Sequence, residues 1–239
     1  MPEIYNSTEL RREMHPMAEL GFDVARTADF VLSKLRALGI EASRIGDTNG
    51  VLAVIRGREP GPVLLLRSDM DALPFTEKGR TVAVHACGHD AHMAMMLETA
   101  SRLAGKIRRG TLKILFQPAE ELLDKFGRAV RGAAESVGAR AEVDIGSVGP
   151  AAEYYPGIHA ELEECIRSEL GSEALAPDCG GGSEDFFFFK SHKPSIRTGY
   201  LGIGVGAVPG LHDRNMHFDD TLLPMGPRVM TAFVLRHLG

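Results

Sequence analysis

The chain has no tryptophan, 6% aromatic residues and only 3 cysteines in 239 residues. Cys87, Cys165 and Cys179 cannot all pair and are too sparse for a disulfide scaffold, which leaves burial, metal binding or catalysis as their uses. Long apolar runs are missing too. Val63 to Leu66 and Phe186 to Phe189 fall far short of the roughly 18 residues that cross a bilayer, and Met1 to Glu9 has no basic start leading into an apolar stretch. The expectation is a cytoplasmic protein with no membrane partner. Nor is there an excess of positive charge: 27 Lys+Arg against 32 Asp+Glu give a net charge of −5. That sign is wrong for a phosphate-tracking surface, so no nucleic-acid partner is expected. What remains, 44% hydrophobic and 25% charged residues, is the composition of one large globular domain or two small ones.

Ala28, Val31, Leu32, Leu35 and Leu38 recur at the spacing of one helix face, and Gly39 ends that helix. Val51 to Ile55 and Val63 to Leu66 read as buried strands joined by a tight connection, the second running into Asp69-Met70-Asp71. After a loop from Pro74 to Thr81 come His85 to His92, a helix through Leu103, and a strand at Leu112 to Phe116 that ends in Gln117 to Glu121. The spacing predicts helices over Asp124 to Val137, His159 to Leu170 and Thr221 to Leu238, and strands at Glu142 to Ile145 and Tyr200 to Val205. Alternating strands and helices imply an α/β fold, an open and largely parallel sheet with helices on both faces and ligands beyond the carboxyl ends of strands. Both acidic clusters stand at such ends.

The densest chemistry is His85-Ala-Cys-Gly-His-Asp-Ala-His92. Three imidazoles, a thiol and a carboxylate together suit Zn, Mn, Co or Ni better than Ca or Mg; the alternative is a solvated helix start with Asp90 capping it and Cys87 buried. Glu120-Glu121 offers adjacent carboxylates that point apart, so one can hold a metal while the other meets water or substrate, although such pairs also open ordinary helices. Asp69 and Asp71 lie on one side of an extended segment, or form a turn before Pro74. The run Gly180-Gly-Gly-Ser183 lacks the ending of a phosphate loop and fits backbone room beside a pocket, with Ser183 capping a helix from Glu184. Phe186 to Phe189 reads as core.

Taken together, Asp69-Met-Asp-Ala-Leu-Pro74, His85-Ala-Cys-Gly-His-Asp90, Phe116-Gln-Pro-Ala-Glu-Glu121, Ser183-Glu-Asp-Phe186, Leu211-His212 and Phe218-Asp-Asp220 resemble the aminoacylase and carboxypeptidase family of two-metal peptidases. Within it the amidohydrolase branch, with hippurate hydrolases, N-acyl-amino-acid amidohydrolases and auxin-conjugate hydrolases, is nearest, and Arg11 to Pro16 with Glu19 to Phe22 is similar to that branch as well. The resemblance implies a three-layer, phosphorylase/hydrolase-like zinc-peptidase core with a mixed sheet. It implies one or two divalent ions, Zn or Mn first and Co or Ni also fitting, held by Cys87, His89, Glu121 and His212. Glu120 is then the general base that moves a proton from water to the leaving amine, Asp71 a supporting carboxylate, and His85 and His92 supporting residues. A small N-acyl amino acid is the implied substrate; a silent core that only binds, or a dipeptidase of the same family, are the alternatives. The family inserts a lid or dimerisation domain and a further histidine ligand after its Glu-Glu pair. Only a short stretch separates Glu121 from Val143, so the lid, expected at about 122–142, is absent, residues 1–239 make a single catalytic domain, and a monomer or weak oligomer is expected. His159 is a distant substitute for the missing ligand.

Overall fold

The computed structural model describes residues 3–121, 152–177 and 185–239. Helix α1 (Ser7–Met14) starts where the Asn6 side chain accepts from the Glu9 amide at 3.2 Å, and a 3-10 turn at His15–Met17 follows. Helix α2 (Ala25–Ala37) buries Ala28, Val31, Leu32 and Leu35, the stripe expected from their spacing, and the chain turns away at Gly39, with φ +69°. Strands β1 (Glu41–Arg44), β2 (Val51–Arg56) and β3 (Glu59–Asp69) come next, then β4 (Leu73–Glu77) and β5 (Arg80–Val84). Helix α3 (His89–Leu103) and strand β6 (Arg109–Gln117) precede helices α4 (Pro156–Leu170), α5 (Phe188–His192) and α6 (Met225–Leu238).

The main sheet runs β1-β2-β6-β3. β6 pairs antiparallel with β2 and parallel with β3, so the sheet is mixed, and β6 lies between the two strands that the sequence suggested were directly joined. Leu112, Ile114 and Phe116 of β6 meet Val51, Ala53 and Ile55 of β2 on one face, where α1, α2, α3 and α6 pack over them. Each of these side chains larger than Ala53 contributes about 1.5–3 kcal/mol by leaving water. Helix α4 packs on α6 through Ile158, Leu162 and Phe233. Among the described residues the helices that touch the sheet share this face; on the other, Val63 and Leu65 are exposed.

Three details differ from expectation. The loop expected over Pro74 to Thr81 is a β4–β5 hairpin. Its turn, Lys78-Gly79, has φ +49° and +74°, the mirror-image geometry that matches strand twist. Tyr200 to Val205 enters no ladder, because its alternating glycines give little side-chain packing to hold a strand. The closing helix starts at Met225, after a 3-10 turn at Asp220–Leu222. The expected helix at Asp124 to Val137, the strand at Glu142 to Ile145, Cys179, Ser183 and Glu184 lie outside the described residues. No helix among those described is long and apolar enough to cross a membrane.

Because β3 and β6 are parallel, with Asp69 opposite Gln117, both acidic strand ends open at the same edge of the sheet. That edge positions everything below.

Candidate metal centre

Gly88, at φ +91°, is the turn from which α3 springs, a backbone conformation that a side chain resists. It directs His89, which is almost fully buried, against the ends of β3 and β6. The imidazole Nδ1 lies 2.8 Å from the Asp71 carbonyl oxygen; as donor there, it leaves the Nε2 lone pair facing the cleft. Around Nε2 stand Glu120 Oε2 at 3.8 Å, Glu121 Oε1 at 3.9 Å and Asp69 Oδ2 at 3.9 Å. Burial lowers the His89 pKa to about 4, so the ring is neutral and able to ligate at ordinary pH.

Glu120 and Glu121 are held by Asp71. Its two oxygens accept the Glu120 and Glu121 backbone amides at 3.1 and 3.2 Å, while burial raises its own pKa to about 6. The preceding Ala119 sits at φ +69°, a left-handed conformation rare for residues other than glycine, and such strain marks a backbone held by its surroundings. Asp71 is in turn anchored by the neighbouring Ala72 amide, which donates to the Glu19 carbonyl at 2.8 Å. The Glu19 carboxylate accepts from Thr27 N and Oγ1, both at 2.9 Å, at the start of α2. The Glu19 to Phe22 motif thus acts on the site through the loop that follows β3.

His212 arrives from the loop before α6. Its amide donates to the Ala86 carbonyl at 2.8 Å, its φ is +67°, and its Nε2 lies 3.3 Å from Cys87 Sγ and 3.8 Å from Glu121 Oε1. The Cys87 thiol is pushed far up by burial and by the charges of Glu121 and Glu120. Cys87, His89 and Glu121 present ligand atoms all within 4.8 Å of one another. Thiol, imidazole and carboxylate at that spacing fit a borderline divalent cation, whose charge would offset the crowding of groups that otherwise repel. The four residues expected as ligands therefore converge, with Glu120 and Asp71 beside them.

Other expected participants fall elsewhere. His159 lies 3.1 Å from Glu163 on its own helix, and His85 is buried beside His15, with ring centroids 6.2 Å apart; Cys165, expected to be a bystander, is buried between α4 and α6. Asp90 receives Arg11 Nε at 2.9 Å and lies 2.7 Å from His15 Nδ1, which explains the Arg11 to Pro16 motif as a brace for the first turn of α3. Of Phe186 to Phe189, expected as core, Phe187 is buried and the other three are only half-buried. His92, expected as a supporting residue, lies three residues after His89 and so on the same helix face. Its Nδ1 lies 3.6 Å from Asp69 Oδ2, and Asp69, His89 and His92 form a second group with ligand atoms within 4.8 Å of one another. Burial pushes the Asp69 pKa up, but the nearby His92 and the Arg67 charge bring it below the ordinary carboxylate range.

Comparison with known proteins agrees with this geometry. The profile of peptidase family M20/M25/M40 matches residues 65–236. An N-acyl-L-amino acid amidohydrolase of Geobacillus stearothermophilus is 44% identical over 123 residues, covering 47% of this chain and 33% of that protein. A hippurate hydrolase of Campylobacter jejuni is 40% identical over 121 residues, covering 47% and 31%. The match thus spans about a third of the length of these curated relatives. The fold is that of the Bacillus subtilis YxeP protein, described as a dinuclear metal binding peptidase, with a TM-score of 0.76 at 18% identity, covering 97% of each chain.

Proposed function

The chain belongs to peptidase family M20/M25/M40, and from that membership we propose that it is a metal-dependent amidohydrolase cleaving the amide bond of small N-acyl amino acids. The observation that carries this reading is the convergence of Cys87, His89, Glu121 and His212 on one edge, with Glu120 Oε2 3.8 Å from His89 Nε2. Those four residues would hold the metal, zinc or manganese first, with cobalt and nickel also fitting the donor set. When bound, a divalent ion polarises the amide carbonyl and acidifies water.

The chain's own residues do the rest. Glu120, whose carboxylate converges with that of Glu121 on His89 Nε2 although adjacent carboxylates were expected to point apart, takes a proton from the attacking water at Oε2 and returns it to the leaving nitrogen as the amide C–N bond breaks. Asp71 fixes where that carboxylate stands through the two amides it accepts. His89 is kept in the tautomer that exposes Nε2 by the Asp71 carbonyl. We further propose that residues 1–239 act as one catalytic unit without the family's lid, as a monomer or weak oligomer, which sedimentation of the pure chain checks.

The test is hydrolysis of hippurate and N-acetyl amino acids by the chain loaded with Zn or Mn, beside Glu120→Gln. Amide cleavage that needs both metal and Glu120 supports the reading. Equal rates for the two proteins, or cleavage of dipeptides alone, contradict it.

A further inference from the structure

We infer that Arg67, Gln117 and Asp185 form a clamp that positions Glu120, so that the ends of β3 and β6 and the turn at Asp185–Phe187 support the base as one unit. The inference rests on the reading of Glu120 above and adds three positioning residues to it, none of which is a ligand in that reading.

The clamp is a closed circuit of hydrogen bonds. Arg67 Nε donates to Gln117 Oε1 at 3.3 Å, Gln117 Nε2 donates to Asp185 Oδ2 at 2.6 Å, and Arg67 Nη2 donates to Asp185 Oδ1. This order fixes the Gln117 amide, which turned over would set oxygen against carboxylate and NH2 against guanidinium. The Arg67 side chain is 4% exposed and also meets Asp69, so its planar fork of donors is held between two carboxylates with little water near. Arg67, Asp69 and Gln117 share a face because the parallel register sets Arg67 opposite Leu115 and Asp69 opposite Gln117. Asp185 closes over that face from its 3-10 turn, where buried Phe187 packs edge-on to Tyr154 with centroids 5.4 Å apart.

Gln117 is the last residue of β6, and only Pro118 and Ala119 separate it from Glu120. That link is stiff, since proline fixes its own φ and Ala119 is left-handed at +69°. A shift of Gln117 therefore carries through to Glu120. The Asp71 carboxylate, which accepts the Glu120 amide at 3.1 Å, holds the far end of the link, and the clamp holds the near end.

The test exchanges acid and amide. Gln117→Glu sets a second carboxylate against Asp185, while the double variant Gln117→Glu/Asp185→Asn restores one acid and one amide with their places exchanged. With metal loaded and hippurate as substrate, the single variant should lose kcat by about 10–100-fold, with KM and bound metal unchanged, and the double variant should recover most of it. In the full chain before metal is added, hydrogen exchange read by mass spectrometry should show residues 119–121 and 185–189 losing protection together in Gln117→Glu and regaining it in the double variant. Circular dichroism verifies folding, and the uncharged Gln117→Met should show the same paired losses if Gln117→Glu does not fold. An unchanged kcat in the single variants, a loss that the double variant does not restore, or a loss that tracks missing metal overturns the inference. A wild type that cleaves no hippurate overturns the reading of Glu120 as base. Protection at 119–121 that falls and returns with the exchange then still supports the clamp, and protection that does not move overturns it.

Discussion

Glu120 owes its position to two backbone features that its side chain does not reveal: the left-handed Ala119 before it and the Asp71 carboxylate that receives its amide. The first turns the chain just before Glu120, and the second holds the Glu120 backbone in place. Glu120→Gln retains shape and hydrogen bonding but removes the proton acceptor, so kcat on an N-acyl amino acid should fall by about 10²–10⁴-fold with bound metal unchanged by plasma emission. Asp71→Asn turns one of two acceptors into a donor facing an amide N–H. Its unfolding free energy in urea should drop by about 1–3 kcal/mol, and the loosened Glu120 and Glu121 should lower activity with it. An Asp71→Asn protein of unchanged stability and activity would mean that the clamp is incidental.

At the scale of elements, helix α3 and the strand ends form the site by meeting at one edge. Gly88→Ala forces a side chain into φ +91° one residue before His89, and should cost about 1–2 kcal/mol in chemical denaturation. Helix α1 is tied to the turn before α6 by Asp220, whose oxygens accept Arg12 Nε and Nη2 at 2.9 and 2.8 Å. The hydrogen bond with Arg12 lowers the Asp220 pKa. A carboxylate whose folded pKa is depressed stabilises above its unfolded value and loses that contribution as pH falls through the folded one. Urea midpoints of wild type and Asp220→Asn should therefore differ at neutral pH and converge below about pH 4. A gap that persists in acid would assign the effect to packing instead.

Much at this scale can be read along the chain. The stripe of Ala28, Val31, Leu32 and Leu35, and the apolar runs of β2 and β6, announce themselves through periodicity and burial. Cys87, His89 and the Glu120-Glu121 pair stand out as clusters at strand and helix ends, while the parts expected of each came from the family resemblance. The insertion of β6 between β2 and β3 is not, because strand order follows from contacts between distant residues. The Lys78-Gly79 turn was a local signal of the hairpin, obscured by Pro74 and the polar residues around it. The placing of His92 beside Asp69 depends on the phase of α3, which residue types alone do not reveal.

In the whole molecule, folding and metal binding are expected to be coupled. Residues from β3, α3, the end of β6 and the loop before α6 share one centre, so an ion bound there holds the two ends of the chain's fold together and favours the native state. At free Zn or Mn about 100 times the dissociation constant, stability should rise by about 2.7 kcal/mol. For a chain of this size that is a Tm higher by about 5–10 °C, reversed by chelator. A Tm indifferent to metal and chelator would contradict it.

The most direct measurement is X-ray absorption at the zinc edge of the reconstituted full chain. The account predicts a sulfur neighbour at about 2.3 Å beside nitrogen and oxygen at about 2.0–2.2 Å, with the sulfur lost in Cys87→Ser and the histidine scattering reduced in His212→Ala. A shell of oxygen and nitrogen alone in the wild type would contradict the metal centre at Cys87, and with it the reaction assigned to Glu120.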